Sequence, residues 1–366
     1  PDFSNQKQKR KFLGLVSSFA NTVGGDIIYG VSEEREEIEN GRIPGRPGEI
    51  TGVQTDDSDE LIRQIKDIIL NNIEPRIVPQ VVARAIHGFD LGPVIVIRVR
   101  RSATGPHAVW MDKKALFYVR SSNSTDLMDV NEIRMSFTMK ESLIDRMKAF
   151  RQERIDKILT GDTPIPVENG AKLLLHVLPI EAFDPMSRIN ILGESNYRVW
   201  DFMPYEDRAP HHRTNFDGVL LHRPLSDKGT TWAYSQIFED GKIEIVDTMI
   251  AYFDENTDFI TRKFDENIII NTIQSLDYLA PTGVTCPLLI MVTFLSVRNF
   301  RIDIGRKYGS VSGEPIDRDN LVFPEIFVNS FNEDPYTFLK PTLDSFWRAC
   351  GFSSNLNYDK RGNRVV

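Results

Sequence analysis

The sequence predicts an α+β protein of two domains, and three observations carry that prediction. Residues 1–135 read as a helix, a strand, a second helix and then several strands around one sheet. A stretch of linker composition, "TGDTPIPVENG" at 160–170, follows a long, charged helical segment. Beyond it a second set of elements opens on "KLLLHVLP" and closes on "YTFLKPTLDSFWRACG". At 366 residues the chain is long enough for two or three cores.

Each element rests on a pattern. Phe12, Leu15, Val16 and Phe19 recur at i, i+3, i+4 and i+7, one face of an amphipathic helix. That helix is expected to end near 21–24, where Gly24 and Gly25 can adopt the positive φ that closes it. "DIIYGV" reads as a short buried strand, with Gly30 marking the close approach of another backbone or a ligand. Residues 32–48, charged and rich in Gly and Pro, read as a mobile hairpin or loop, and "EITGV" as a brief return strand. In "DDSDELIRQIKDIILNNIEP", Asp57 and Glu60 are spaced as a capping box and Leu61, Ile62, Ile65, Ile68 and Ile69 form the apolar face. "RIVPQVVARAI" and "GPVIVIRVRRS" form a hairpin, "HAVWMDKKALFYVRSS" a further strand–turn–strand, and 130–159 a charged helix. In the second half, Asp240-Gly241 sets a hairpin turn within "TTWAYSQIFEDGKIEIVDTMI". "FDGVLLHRP", "CPLLIMVTFL" and "LVFPEIFV" read as strands and "ENIIINTIQSLDYLA" as a helix; the half is α/β or α+β. The expected division is 1–135, a helical connector and linker at 136–169, and 170–366.

Composition narrows the function. With 41% hydrophobic and 26% charged residues the chain is an ordinary soluble one. It has no apolar run of membrane-spanning length and no signal-peptide pattern, so a cytoplasmic protein without a membrane partner is expected. It opens on Pro1, which suggests a start inside a longer chain. A net charge of −8 argues against a surface that coats nucleic acid throughout. "QKQKRK" nevertheless gathers Lys7, Lys9, Arg10 and Lys11, either a solvated helix face or a local basic site. Cys286 and Cys350 read as two buried free thiols. No GxxxxGK[ST] loop, HExxH or Cys/His set occurs. His211 and His212, adjacent on a strand, point to opposite faces and do not share an ion. His107 reads as a strand residue with one hydrogen bond.

Two motifs go further. "FLGLVSSFANTVGGDIIYGV" at 12–31, followed by "GPHAVWMD" and then "FYVRSSNSTDLM" at 117–128, resembles the signature of the Schlafen-type AlbA-like domain over about residues 5–135. The remainder looks like the C-terminal half of a bacterial group of such proteins. The resemblance implies a mixed sheet with packed helices and nucleic-acid binding. In some members it implies metal-dependent endoribonuclease activity on tRNA or other structured RNA, in the setting of anti-phage defence. Those nucleases use three carboxylates to hold Mg²⁺ or Mn²⁺, which neutralises a phosphate and activates water. One of the three positions falls here on Glu33, the candidate catalytic and metal-binding residue, where the family usually has Asp. Their upstream E-x-x-x-x-E-F-K segment does not occur in this chain. Arg120 with Ser121, Ser122, Ser124 and Thr125 offers a guanidinium fork and hydroxyl donors suited to phosphate. Those hydroxyls could instead cap the helix near Val130, and the resemblance favours binding. Lys7, Lys9, Arg10 and Lys11 would extend the same surface. Two other readings stand beside this one: a non-catalytic DNA- or RNA-binding regulator, and an interaction scaffold whose AlbA-like sheet pairs into a homo-oligomer.

Overall fold

Asn5 starts the first helix, α1 (Gln6–Asn21), by accepting the Lys7 and Gln8 amides at 3.0 and 3.3 Å. Phe12, Leu13, Val16, Phe19 and Ala20 make its buried stripe. The computed structural model describes residues 3–34, 37–38, 41–42, 46–77, 81–121, 124–184, 189, 191, 211–254, 257–304 and 313–358. They form two compact units, 1–143 and 144–366, with helix and strand mixed in each, as an α+β reading requires.

The first unit continues through β1 (Gly25–Tyr29), β2 (Val31–Glu34), β3 (Glu37–Ile38), β4 (Gly41–Arg42), β5 (Arg46–Ile50), α2 (Ser58–Asn72) and β6 (Ile73–Glu74). Then come β7 (Val81–Ile86), β8 (Val94–Val99), β9 (Ala108–Met111), β10 (Lys114–Ser121), β11 (Ser124–Leu127) and the start of α3 (Val130–Thr160). The strands divide between two antiparallel sheets, β1-β8-β7 and β11-β10-β9-β6, with β2–β5 and β3–β4 as separate ribbons. The split falls where the chain leaves β8 and the Ser102 amide bonds the Ala20 carbonyl of α1 at 2.8 Å. Ile27, Ile95, Ile97, Val99 and Val109 meet α1 and Ile65 and Ile69 of α2 in one core. Asp57 caps α2 through the Asp59 and Glu60 amides, but the box is only half closed: the Asp57 amide bonds Thr55, while Glu60 turns to Arg63 and Gln64.

The glycines act sterically. Gly24, at φ +80°, returns its amide to the Phe19 carbonyl at 2.9 Å and closes α1. Gly25 does not share that conformation; it is small because the Phe19 ring lies where a Cβ would be. Gly30 meets another backbone: a Cβ there would stand 2.8 Å from the Gly52 Cα, and one on Gly52 would overlap the Gly92 carbonyl. Gly52→Ala, at φ +87°, should therefore cost this unit about 3 kcal/mol, combining overpacking with left-handed strain. Hydrogen exchange of the β8 amides under urea reads it; a loss below about 1 kcal/mol would show that the junction yields.

The second unit takes the C-terminal part of α3 and β12 (Lys172–Pro179), β13 (His211–Asn215), β14 (Gly218–His222), β15 (Ala233–Phe238) and β16 (Ile243–Asp247). It continues with β17 (Ala251–Asp254), β18 (Thr257–Thr261), α4 (Phe264–Leu279), β19 (Leu288–Leu295), β20 (Arg301–Asp303), β21 (Leu321–Val322), β22 (Ile326–Val328) and α5 (Pro335–Ala349). Its main sheet runs β13-β14-β15-β16-β12-β19-β21, with β22 also on β19, every pair antiparallel. Of the two sequence readings, α+β therefore describes this sheet. Ile155 and Ile158 of α3 pack on one face with Leu174, Leu220, Tyr234 and Val246. The other face buries Leu173, Leu175, Ile243 and Ile245 among core residues that include α4 and α5. β12, β15, β16 and β19 are buried along their whole length because both faces are covered. Residues 160–170 pack here as well: Ile165 is buried and Glu168 accepts from Ser226 and Thr230. Cys286 and Cys350 are buried and not disulfide-bonded, and burial pushes each thiol up to about 12. Among the described residues no helix is long and apolar enough to cross a membrane.

Candidate nucleic-acid interface

In the first unit α1 lies alongside β10, and that seam positions the two predicted arginines. Gly14 leaves room for the Tyr118 ring, whose nearest atom would be 3.3 Å from a Cβ there. The Tyr118 hydroxyl accepts from Arg10 Nε at 3.2 Å, which holds the Arg10 guanidinium above its usual pKa. Two residues on, and so on the same side of β10, Arg120 sits over the Phe19 ring with its guanidinium carbon 5.4 Å from the centroid. Arg120 Nη1 also donates to Thr125 Oγ1 at 3.2 Å, across the β10–β11 register that pairs the two residues. Phe19 lies nine residues after Arg10, so the Cα atoms of the two helix residues are about 14 Å apart along the axis.

The basic cluster occupies the N-terminal end of α1. Lys7, Arg10 and Lys11 are exposed, Lys9 is half-buried, and the first turn carries no acid. Among the described residues none of the three lysines is in an ion pair. Among the described residues the three lysines therefore have no acidic partner at the positive end of the helix dipole, where a phosphate would be favoured.

The choice between cap and interface for the 121–125 hydroxyls is decided in part. Asp129 caps α3: its carboxylate accepts the Asn131 and Glu132 amides at 2.7 and 2.8 Å, and Glu132 accepts the Asp129 amide in return at 2.8 Å. Ser124 and Thr125 lie instead on β11, and Ser124 Oγ bonds the Ser121 carbonyl and Asp126. Thr125 thus faces Arg120, whereas Ser121 and Ser124 are the next cross-strand pair and lie on the other face of the ribbon; Ser122 lies outside the described residues. Glu33 is on β2 opposite Pro47, and its side chain also lies outside the described residues.

Asn21 and His107 turn out to be structural. Asn21 donates to the His107 and Tyr118 carbonyls at 3.0 and 2.9 Å and accepts the His107 amide at 2.7 Å, clasping α1 to the strands. The His107 ring is fully buried and bonds the Pro75 carbonyl at 2.7 Å, just ahead of β9 rather than within a strand.

The second unit holds a polar centre that no local sequence pattern announces. Glu244 is fully buried on β16. It accepts Arg154 Nε and Nη2 at 2.7 and 2.8 Å, His176 Nε2 at 3.0 Å and the Tyr234 hydroxyl at 2.8 Å. Burial alone would raise the Glu244 carboxyl; hydrogen bonds from His176 and Arg154 outweigh it and bring the pKa down to about 2. Burial, then the Glu244 charge, pushes Tyr234 well above its ordinary value. Next to this centre is a cavity of about 420 Å³ whose walls include Phe150, Arg154, Lys157, Phe216, Phe238 and Lys242. Lys242 Nζ stands 4.9–5.8 Å from the ring centroids of Phe150, Phe183 and Phe238 and pairs with Asp240 at 2.5 Å. Of the aromatic trio on and just before β15, Tyr234 and Phe238 are buried, while Trp232 is 46% exposed.

Among the described residues no three His, Cys, Asp or Glu side chains gather where they could hold a metal ion. Comparison with known proteins gives one family: residues 2–129 match the family model described as Schlafen, AlbA_2. No curated protein matches the chain.

Proposed function

With residues 2–129 a Schlafen-type AlbA-like domain, we propose that the protein binds nucleic acid, structured RNA first, along the α1–β10 seam. The observation that carries this reading is the seam itself: Arg10 held by Tyr118, Arg120 held by Phe19 and Thr125, and three lysines without ion-pair partners among the described residues. Oriented guanidinium groups suit bidentate phosphate contacts, and mobile lysines supply charge along a backbone. Affinity then depends on salt. Replacing Lys7, Lys9 and Lys11 together by alanine should flatten the slope of log K against log salt by about 2 to 3 for RNA. Arg120→Ala should weaken binding about tenfold. Native gel shifts of total tRNA between 50 and 200 mM salt (about the range where such contacts dominate) test both. An unchanged slope would place the contact surface elsewhere.

Hydrolysis would require a metal site beside the bound backbone. Glu33 would supply one carboxylate to Mg²⁺ or Mn²⁺, whose chemistry is to neutralise a phosphate and activate water. One carboxylate does not make such a site, and the described residues add no cluster to it. Incubating tRNA with Mn²⁺ or Mg²⁺, beside Glu33→Ala and EDTA controls, separates the readings on a denaturing gel. Fragments that vanish in both controls support a metal-dependent endoribonuclease. Intact RNA that still shifts supports the non-catalytic regulator, and no shift at low salt leaves the scaffold.

A further inference from the structure

Sheet register in the second unit brings together two imidazoles that the sequence separates. His211 on β13 and His222 on β14 are direct cross-strand partners, with centroids 5.5 Å apart and ring planes within 13° of parallel. His212, the sequence neighbour, pairs with Leu221 on the opposite face. His222 Nδ1 lies 2.8 Å from the Arg223 carbonyl. A carbonyl oxygen only accepts, so Nδ1 carries the proton and the Nε2 lone pair is left available. An imidazole oriented by a backbone carbonyl in this way is the outer arrangement that fixes metal-binding histidines.

We propose that His211 and His222 form a binding site for a borderline transition-metal dication, with zinc as the representative ion, water filling the remaining positions. Imidazole nitrogen suits zinc, copper and nickel rather than magnesium or calcium. Two Zn–N bonds of about 2.0–2.1 Å at a tetrahedral angle need nitrogens about 3.4 Å apart, closer than the ring centroids stand. His222 is half-buried and anchored, whereas His211 is exposed on β13, so His211 is the ring that swings inward. Arg213, the neighbouring cation on that face, has its guanidinium drawn to the Pro164 carbonyl at 2.8 Å. Closing the site would tie β13 to β14. The chemistry is distinct from any Mg²⁺ or Mn²⁺ at Glu33, which is oxygen chemistry in the other unit.

The test uses the full chain without an affinity tag, stripped with EDTA, dialysed, and titrated with zinc alone by calorimetry. One saturable site per chain is expected. It should weaken about tenfold or more in His211→Ala and in His222→Ala and stay unchanged in His212→Ala. His211 is exposed, so its variant keeps the fold, as circular dichroism would check. A hundredfold excess of Mg²⁺ (about the excess that exposes a hard-cation site) should not displace the zinc. No saturable binding below about 1 mM overturns the proposal. So does binding that survives His211→Ala, or binding that His212→Ala removes.

Discussion

Glu244→Ala should destabilise the second unit by about 3–5 kcal/mol, because it leaves a buried cation and two buried polar groups without their common acceptor. Arg154 is 8% exposed at its side chain, and His176 and Glu244 are fully buried. His176 and Tyr234 are closed to solvent, and Arg154, which also lines the adjoining cavity, cannot shed its proton. Replacing both members, as Arg154→Met with Glu244→Leu, should recover only part of the loss: an apolar pair avoids the desolvation of both charges, but His176 and Tyr234 stay without their acceptor. Hydrogen exchange of the β16 amides under urea reads this unit directly. A cost below about 1 kcal/mol for the single variant would mean that solvent reaches the centre. The pH dependence has a defined sign. The Glu244 carboxyl is lowered to about 2 from 4.5, so the stability it contributes is present above about 4.5 and is lost as pH falls towards 2.

Asp247 carries the opposite sign. Buried at the end of β16, it accepts the Met249 amide at 2.7 Å through Oδ1, and Oδ2 has no partner among the described residues. Burial, against smaller contributions from Met249 and Arg223, pushes its carboxyl from 3.8 up to about 7. Between those values the folded protein binds the extra proton, so this group's contribution to stability falls as pH rises from about 4 through 7. Asp247→Asn preserves the acceptor for Met249 and removes the buried charge. It should raise stability by about 2 kcal/mol at pH 8 while leaving pH 4 nearly unchanged. Urea midpoints at the two pH values decide it. Parallel pH profiles for the variant and the parent would show that Asp247 ionises without penalty.

The seam in the first unit is partly legible in the amino-acid sequence. Local signals supply both sides: the α1 periodicity with its basic first turns, and the Arg120 strand followed by hydroxyls. They do not supply Tyr118 as the residue holding Arg10, since nothing local links position 10 to 118. Nor do they separate cap from interface. Asp129 is an equally good cap by residue type, and only the β10–β11 register shows Thr125 facing Arg120. The helix-ending glycines can be read as steric or phosphate-binding. The Phe19 ring beside Gly25 and the Gly30–Gly52 and Gly52–Gly92 contacts favour sterics, the latter two through partners distant in sequence.

Sequence by itself determined the local elements of this protein, because hydrophobic period, caps and turn residues act over a few positions. The span of α3, the Asp240-Gly241 hairpin and the α1 stripe all follow from such neighbours. Tertiary structure alone decided which faces are covered. In "KIEIVD" the alternation makes Glu244 look like the wet face of a half-buried strand. α3 closes over that face, and the glutamate becomes the acceptor of a buried network with Arg154, His176 and Tyr234. Register likewise pairs His211 with His222 rather than with His212. Burial and cross-strand pairing are relations between distant segments, and a window of neighbouring residues does not contain them.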